Sequence, residues 1–247
     1  MTVELHLGDC LEIMKAMPDE SVDLVLTDPP FNVGKRYGTS DNRKDYPSWC
    51  ADWIAECFRI TKKTGVISIK NIVRNLPLMF LEMGKHGSLI NQVIWRNTSA
   101  NHSKGGFWND YESILIYSKS SSFTFNTYAQ TQPMRKPSWN KDRRSREKGQ
   151  MRDIWDDITR VYTGSVVHPE AVLMGDGTKK KLHPCQQPID LSVRQILFLS
   201  NAGDTILDPF MGIGTTGVAC VKNSRGFVGI EINERYFLEA QDRIGRI

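Results

Sequence analysis

This chain has little with which to build a stapled, metal-centred or membrane-embedded protein. Its 247 residues include five cysteines, Cys10, Cys50, Cys57, Cys185 and Cys220. They are odd in number and form no C-x-x-C pair, so reduced thiols in a cytoplasm are the expectation. No apolar run is long enough to cross a bilayer. The start, Met1-Thr2-Val3-Glu4-Leu5, has neither the basic opening nor the apolar middle of a signal peptide. No ligand cluster has metal-site spacing, so no metal is expected. There is no internal repeat and no low-complexity tract. Charge nearly balances at a net +4, so only its distribution is informative. What remains, 40% hydrophobic and 24% charged residues, is the composition of an ordinary soluble globular protein. The length suits one large α/β domain with an insertion.

Apolar periodicity alternates between two kinds. Strand patterns fall at 3–7, 22–27, 65–70, 91–95, 112–118, 205–207 and 226–232. Helical patterns fall at 11–17, 49–59 with Ser48 as cap, 76–85, 189–200, 215–222 and 234–243. Trp49, Trp53 and Phe58 read as a core stripe. Strands interleaved with helices predict an α/β fold with a mostly parallel seven-stranded sheet and helices on both faces. Between 119 and 182 the periodicity weakens. Arg135, Lys136, Lys141, Arg143, Arg144, Arg146, Lys148 and Arg152 cluster there with Trp139 among them, and Lys179-Lys180-Lys181 closes the stretch.

Two stretches carry chemistry. Asp28-Pro29-Pro30-Phe31 follows an apolar run. A carboxylate, two rigid prolines and an aromatic ring at a strand's carboxyl end form a polar pocket with a stacking face; a strand ending in a Pro-Pro turn is the plain reading of the same residues. Asp208-Pro209-Phe210-Met211-Gly212-Ile213-Gly214-Thr215-Thr216-Gly217 lies between a strand and a helix and contains G-x-G-x-x-G. Glu231 ends the next strand about 20 residues on, where a ribose-binding acid belongs. This alone indicates a nucleoside cofactor and leaves a nicotinamide oxidoreductase as a rival. Asp208 argues against the rival. In dinucleotide folds the helix N-terminus receives a pyrophosphate, which a carboxylate would repel. The same carboxylate suits an ammonium-bearing cofactor without phosphate, such as S-adenosylmethionine. In open α/β sheets ligands bind where strand order reverses. With the 22–27 and 205–208 strands at the centre, Asp28 and Asp208 face one crevice. Asp9 falls on the same rim, at the adenine edge of the cofactor, and also suits the cap of the 11–17 helix.

These motifs resemble those of the DNA amino-methyltransferases, which methylate adenine N6 or cytosine N4. The order is that of the permuted, or beta, group, with D-P-P-[YFW] first and D-P-F-x-G-x-G-T-T last. The matches are Leu7-Gly8-Asp9-Cys10, Thr27-Asp28-Pro29-Pro30-Phe31-Asn32, Tyr111-Glu112-Ser113-Ile114-Leu115, His183-Pro184 to Pro188, and Gly203 to Thr216, continuing through Gly229-Ile230-Glu231 to Tyr236 and Ala240. They span nearly the whole chain outside 119–182. One departure matters: the family often has H-P-T-Q-K-P where this chain has His183-Pro184-Cys185-Gln186-Gln187-Pro188, which removes a lysine from the turn expected to hold the cofactor's carboxylate. Pro-Cys-Gln resembles the motif of cytosine-C5 enzymes, but its place before a helix rather than after the Asp28 strand speaks for an ordinary thiol.

The resemblance implies a Rossmann-like, S-adenosylmethionine-dependent methyltransferase fold with circularly permuted motif order. It implies a catalytic domain of 1–118 with 183–247, and an inserted basic target-recognition segment at 119–182. The expected activity is site-specific transfer of a methyl group from S-adenosylmethionine to adenine N6 of a flipped-out base in double-stranded DNA. Cytosine N4 is the alternative, and a non-catalytic DNA-binding relative is a weaker one. Expected catalytic residues are Asp28, Pro29, Pro30 and Phe31. Expected cofactor contacts are Asp9, Cys10, Asp28, Gln187, Asp208, Pro209, Phe210, Gly212, Gly214, Thr215, Thr216 and Glu231. Expected DNA contacts are Lys35, Arg36, Arg135, Lys136, Arg143, Arg144 and Arg146, through phosphates or guanine edges. A homodimer and a partner restriction nuclease are compatible with the resemblance.

Overall fold

In the computed structural model, residues 2–34, 41–96, 105, 107, 110–133, 148–163, 166–174 and 182–247 are described. The chain opens with β1 (Val3–Leu7), α1 (Cys10–Ala16), β2 (Val22–Thr27), α2 (Tyr46–Ile60) and β3 (Thr61–Asn71). A 3-10 turn (Val73–Asn75) leads into α3 (Leu76–Met83), then β4 (Ser88–Arg96) and β5 (Tyr111–Ser118). The middle holds short strands, β6 (Thr131–Pro133), β7 (Lys148–Gln150), β8 (Ile154–Trp155), β9 (Tyr162–Thr163) and β10 (Val166–Val167). The chain then gives α4 (Ile189–Leu199), β11 (Thr205–Asp208), α5 (Thr215–Lys222), β12 (Gly226–Glu231) and α6 (Glu234–Gly245).

The main sheet runs β1-β12-β11-β2-β3-β5-β4-β8. From β1 to β3 all neighbours are parallel, β5 is antiparallel to both β3 and β4, and β8 is parallel to β4. The sheet thus has eight strands, not the seven expected from periodicity. The addition is β8, whose two residues are too few to carry a period-two signal; they pair with Ile94 and Trp95. Trp155, Ile158 and Val161 are buried, and the Trp95 indole donates to the Ile158 carbonyl at 2.9 Å. Helix α2 begins at Tyr46 rather than beside Ser48, because Pro47 suits the first turn.

Alternation along the strands makes two cores. Val25 on β2 and Ile67 and Ile69 on β3 face Met14 of α1, Trp53 and Ile54 of α2 and Met79 of α3. Leu24, Leu26 and Val66 face the other way, against Leu191 and Ile196 of α4, Val218 of α5 and Ala240 and Ile244 of α6. Ser68, also on that face, donates to Gln195 Oε1 of α4 at 2.7 Å, so the buried pair is satisfied. Arg194 of α4 forks onto Asp157 with two bonds of 2.7 Å, tying the middle segment to the same face. Among the described residues no helix is long and apolar enough to cross a membrane.

The close fit of α5 to the sheet depends on Gly217. A methyl group there would lie 2.4 Å from Ile244 Cδ1 and 2.7 Å from the Phe227 ring, and Phe227 is fully buried with no room to retreat. Gly217→Ala is expected to lower the unfolding free energy by about 1–3 kcal/mol, the usual cost of overpacking, measured by denaturant titration.

Candidate active site

The strand order reverses between β11 and β2. One half of the chain builds outward through β3, the other through β12 and β1. At the carboxyl ends of these two strands lies a cavity of about 220 Å³, lined by Asp28, Phe31, Asp208, Gly212 and Glu231, among others. Asp9 and Cys10 border it from the end of β1 and the start of α1, and Gln187 and Cys185 from the turn before α4.

On the β2 side, Asp28 leaves the strand directly after Thr27. The prolines and Phe31 then turn the chain, and neighbours pin the turn. Tyr46 donates to the Pro30 carbonyl at 2.8 Å, and Asn75 donates to the Phe31 carbonyl at 2.9 Å. Asn32 closes the following stretch by exchanging bonds with the Arg43 backbone at 2.6 and 3.2 Å. The Asp28 carboxylate has two polar neighbours. Gln187 donates its amide N–H to Oδ2, and the Lys70 ammonium lies 3.1 Å from Oδ1. Burial pushes the Asp28 carboxyl up to about 6, with Lys70 opposing and Glu112 assisting the rise. For Lys70, burial works against the charge, but the Asp28 and Glu112 carboxylates outweigh it and hold its pKa above the ordinary lysine value.

On the β11 side, Asp208 is buried and receives three hydrogen bonds: Thr27 Oγ1 at 2.7 Å, Thr216 Oγ1 at 2.8 Å and the Phe210 amide at 3.1 Å. Burial pushes its carboxyl up to about 6 against these bonds, and the Asp28 charge adds to the rise. The loop beyond turns through Gly212 (φ 53°) and Gly214 (φ 75°), left-handed conformations that favour glycine. Glu231, ending β12, accepts from the Gly212 amide at 2.9 Å and the Asn233 amide at 2.7 Å, so one carboxylate locks the loop to the sheet. Burial raises its pKa. Phe210 packs edge-on against Trp49 and Trp53, with ring centroids 5.5 and 5.4 Å away.

The cavity therefore gathers the residues expected from both motifs. Asp9 caps α1, accepting from the Leu11 amide at 2.8 Å, and borders the cavity as well. Gly214 does not line the cavity; it starts α5 and packs against Ala240. Lys35, Arg36, Arg135, Lys136, Arg143, Arg144 and Arg146 lie outside the described residues. Sequence reading passed over Lys70, whose signal was its place at the end of β3. Thr27 and Ile69 are in register there, so Asp28 and Lys70 follow side by side. It also gave no task to Glu112 or Arg160, which meet Lys70 only across β5 and the middle segment.

Thr216→Val removes one donor from Asp208 without changing side-chain size. The loss falls on the ionised carboxylate, present in the folded protein above about pH 6. We expect a destabilisation of about 1–3 kcal/mol at alkaline pH. It should shrink below pH 6, where the carboxyl is protonated in the folded state. Denaturant midpoints on either side of that pH check both.

Comparison with known proteins agrees with the geometry. The family model described as DNA methylase matches residues 22–242. The chain is 33% identical over 242 residues to the DNA adenine methyltransferase YhdJ of Escherichia coli (strain K12), covering 93% of this chain and 78% of that protein. Among solved structures, a DNA modification methylase of Thermus thermophilus complexed with S-adenosyl-L-methionine superposes with a TM-score of 0.67 at 24% identity, over 99% of this chain and 93% of the other. The cytosine-N4-specific PvuII DNA methyltransferase superposes with a TM-score of 0.72 at 20% identity, over 98% and 86%. A cavity between two strand-end carboxylates at the point of strand reversal, held by a glycine loop, thus sits in a chain that belongs to the DNA methylase family.

Proposed function

We propose that the protein transfers a methyl group from S-adenosylmethionine to the N6 amino group of adenine in double-stranded DNA, with the base turned out of the duplex into the Asp28 side of the cavity. The observation that carries this reading is that Asp28 and Asp208 border one cavity. The donor set fits the cofactor. Asp208, Glu231 and Asp9 give the lining an acidic character that suits an ammonium and ribose hydroxyls and opposes a pyrophosphate. An ionised carboxylate offers about four lone-pair sites, so Glu231 retains acceptor capacity beyond its two amide bonds. When bound, S-adenosylmethionine supplies an electrophilic methyl group on a sulfonium.

The protein's task is to ready the amine. Adenine's exocyclic lone pair is delocalised into the ring, and acceptors on its N–H groups help to localise it. Asp28 Oδ2 already accepts from a planar amide nitrogen, that of Gln187, which is the kind of donor an exocyclic amine presents. The Pro29 carbonyl serves as the second acceptor, aimed by the two rigid prolines. Phe31 gives a stacking face, worth about 1–3 kcal/mol per base and offsetting part of the unstacking cost. Catalysis is orientation and electrostatics, and Asp28 takes the proton after transfer. The aspartate heading the tetrapeptide favours adenine over cytosine N4. Residues 119–182 form the segment that reads the DNA site, with Lys35, Arg36, Arg135, Lys136, Arg143, Arg144 and Arg146 on the nucleic acid. A homodimer and a companion restriction nuclease fit the same reading.

Nucleoside mass spectrometry of DNA treated with the protein and S-adenosylmethionine should reveal N6-methyladenine; N4-methylcytosine alone would overturn the choice of base. Asp28→Asn should lower kcat by about 10²–10⁴-fold while cofactor affinity is preserved. Because the raised Asp28 carboxyl must be ionised to accept, activity should fall as pH drops through about 6.

A further inference from the structure

Four side chains of alternating charge line up across the strand ends. Asp28 follows β2, Lys70 lies on β3, Glu112 on β5, and Arg160 comes from the middle segment beyond β8. The Lys70 ammonium, 3.1 Å from Asp28 Oδ1, is also ion-paired with one oxygen of Glu112, and Arg160 takes the other. The ammonium lies 4.9 Å from the centroid of the Phe31 ring and 5.8 Å from that of Trp95. The Arg160 guanidinium lies 5.7 Å from the same Trp95 ring. Lys70 is only 5% exposed. An apolar side chain would fill that place without the desolvation penalty of a buried charge, so stability alone gives no reason for a lysine here.

We propose that Lys70 is a positioning residue that fixes the Asp28 carboxylate and the Phe31 ring, and that Arg160, acting through Glu112, sets how much of the Lys70 charge Asp28 receives. Residues of the inserted segment thereby bear on the reacting end of the site. This rests on Asp28 being the acceptor for the target amine. The other groups facing Asp28 stay constant under the test: the Gln187 amide before α4, the Asp208 carboxylate on β11, and Ser192 and Gln195 of α4, with Asp41 and Arg43 at the α2 side of the cavity.

Charge order dictates opposite outcomes for neighbouring members of the row. Removing Lys70 takes a cation from Asp28 and makes protonation easier. Removing the Arg160 charge leaves Glu112 to draw more strongly on Lys70, with the same sign and a smaller size. Neutralising Glu112 turns Lys70 toward Asp28 and makes protonation harder. The test measures methyl transfer from tritiated S-adenosylmethionine to unmethylated bacterial genomic DNA across roughly pH 5 to 9, using the full chain. Lys70→Met should move the acid limb of the rate profile up by about one unit or more. It should slow transfer about 10–100-fold at neutral pH, with little change in cofactor affinity. Lys70→Arg should return the limb toward the wild-type position. Arg160→Gln should move it up by a fraction of a unit, and Glu112→Gln should move it down.

A limb unmoved by these changes, or shifted the same way by Arg160→Gln and Glu112→Gln, overturns the proposal, since a packing role predicts no sign reversal. If Lys70→Met does not fold, as judged by cofactor binding, the Arg160 and Glu112 variants decide alone. An Asp28→Asn protein that keeps full activity overturns the underlying functional reading instead.

Discussion

The hydrogen bond from Thr27 to Asp208, 2.7 Å long and spanning 181 residues of sequence, joins the two strands on which the site depends. β2 and β11 are neighbours without being connected in sequence, and their pairing is short, Leu24 with Ile206 and Val25 with Leu207. Past that register the ladder opens into the cavity, and side chains must take over. Thr27 does so, with Thr216 and the Phe210 amide completing the ring of donors around one carboxylate. Strand reversal creates the crevice; this cluster keeps its walls at a fixed distance.

Both carboxylates stand where ionisation is costly. Burial raises each toward 6, and each is held in a different way. Asp208 has neutral donors from three directions and acts as a fixed dipolar wall. Asp28 has an amide on one oxygen and an ammonium beside the other, so its proton affinity depends on groups that belong to other strands. A buried carboxylate held only by neutral donors is a structural element. One balanced against a buried lysine is adjustable, and an acceptor that must later take a proton needs that property.

Much of this was legible in the residues. The runs around Val25, Ile67, Leu207 and Val228 announced a sheet covered on both faces, and the two Asp-Pro turns announced its ligand-binding end. The switch point followed from those turns needing one crevice. β8 and its neighbours were not legible, because two-residue strands have no period and Trp155 and Ile158 reach the core from a stretch whose composition is basic. Neither was the row from Lys70 to Arg160. A lysine in an apolar strand reads as an exposed edge residue until the strand order sets β5 beside β3 and brings Glu112 next to it. Gln187 read as a lost lysine; in three dimensions it is a donor to Asp28, a pairing of residues 159 positions apart that no local pattern encodes.

The docking of Ile154–Trp155 on β4 has a consequence for the chain's tolerance of change. Without it β4 would present unpaired backbone groups along a bare border, the kind of surface on which sheets of separate molecules join. The middle segment is therefore a guard rail for the sheet as well as a basic arm. Loop length costs little, about 0.6 kcal/mol for each doubling. The stretches on either side of this two-residue stitch can accordingly grow or shrink to suit a different DNA site, while the stitch itself, with the Trp95 indole fastened to Ile158, has to stay where it is.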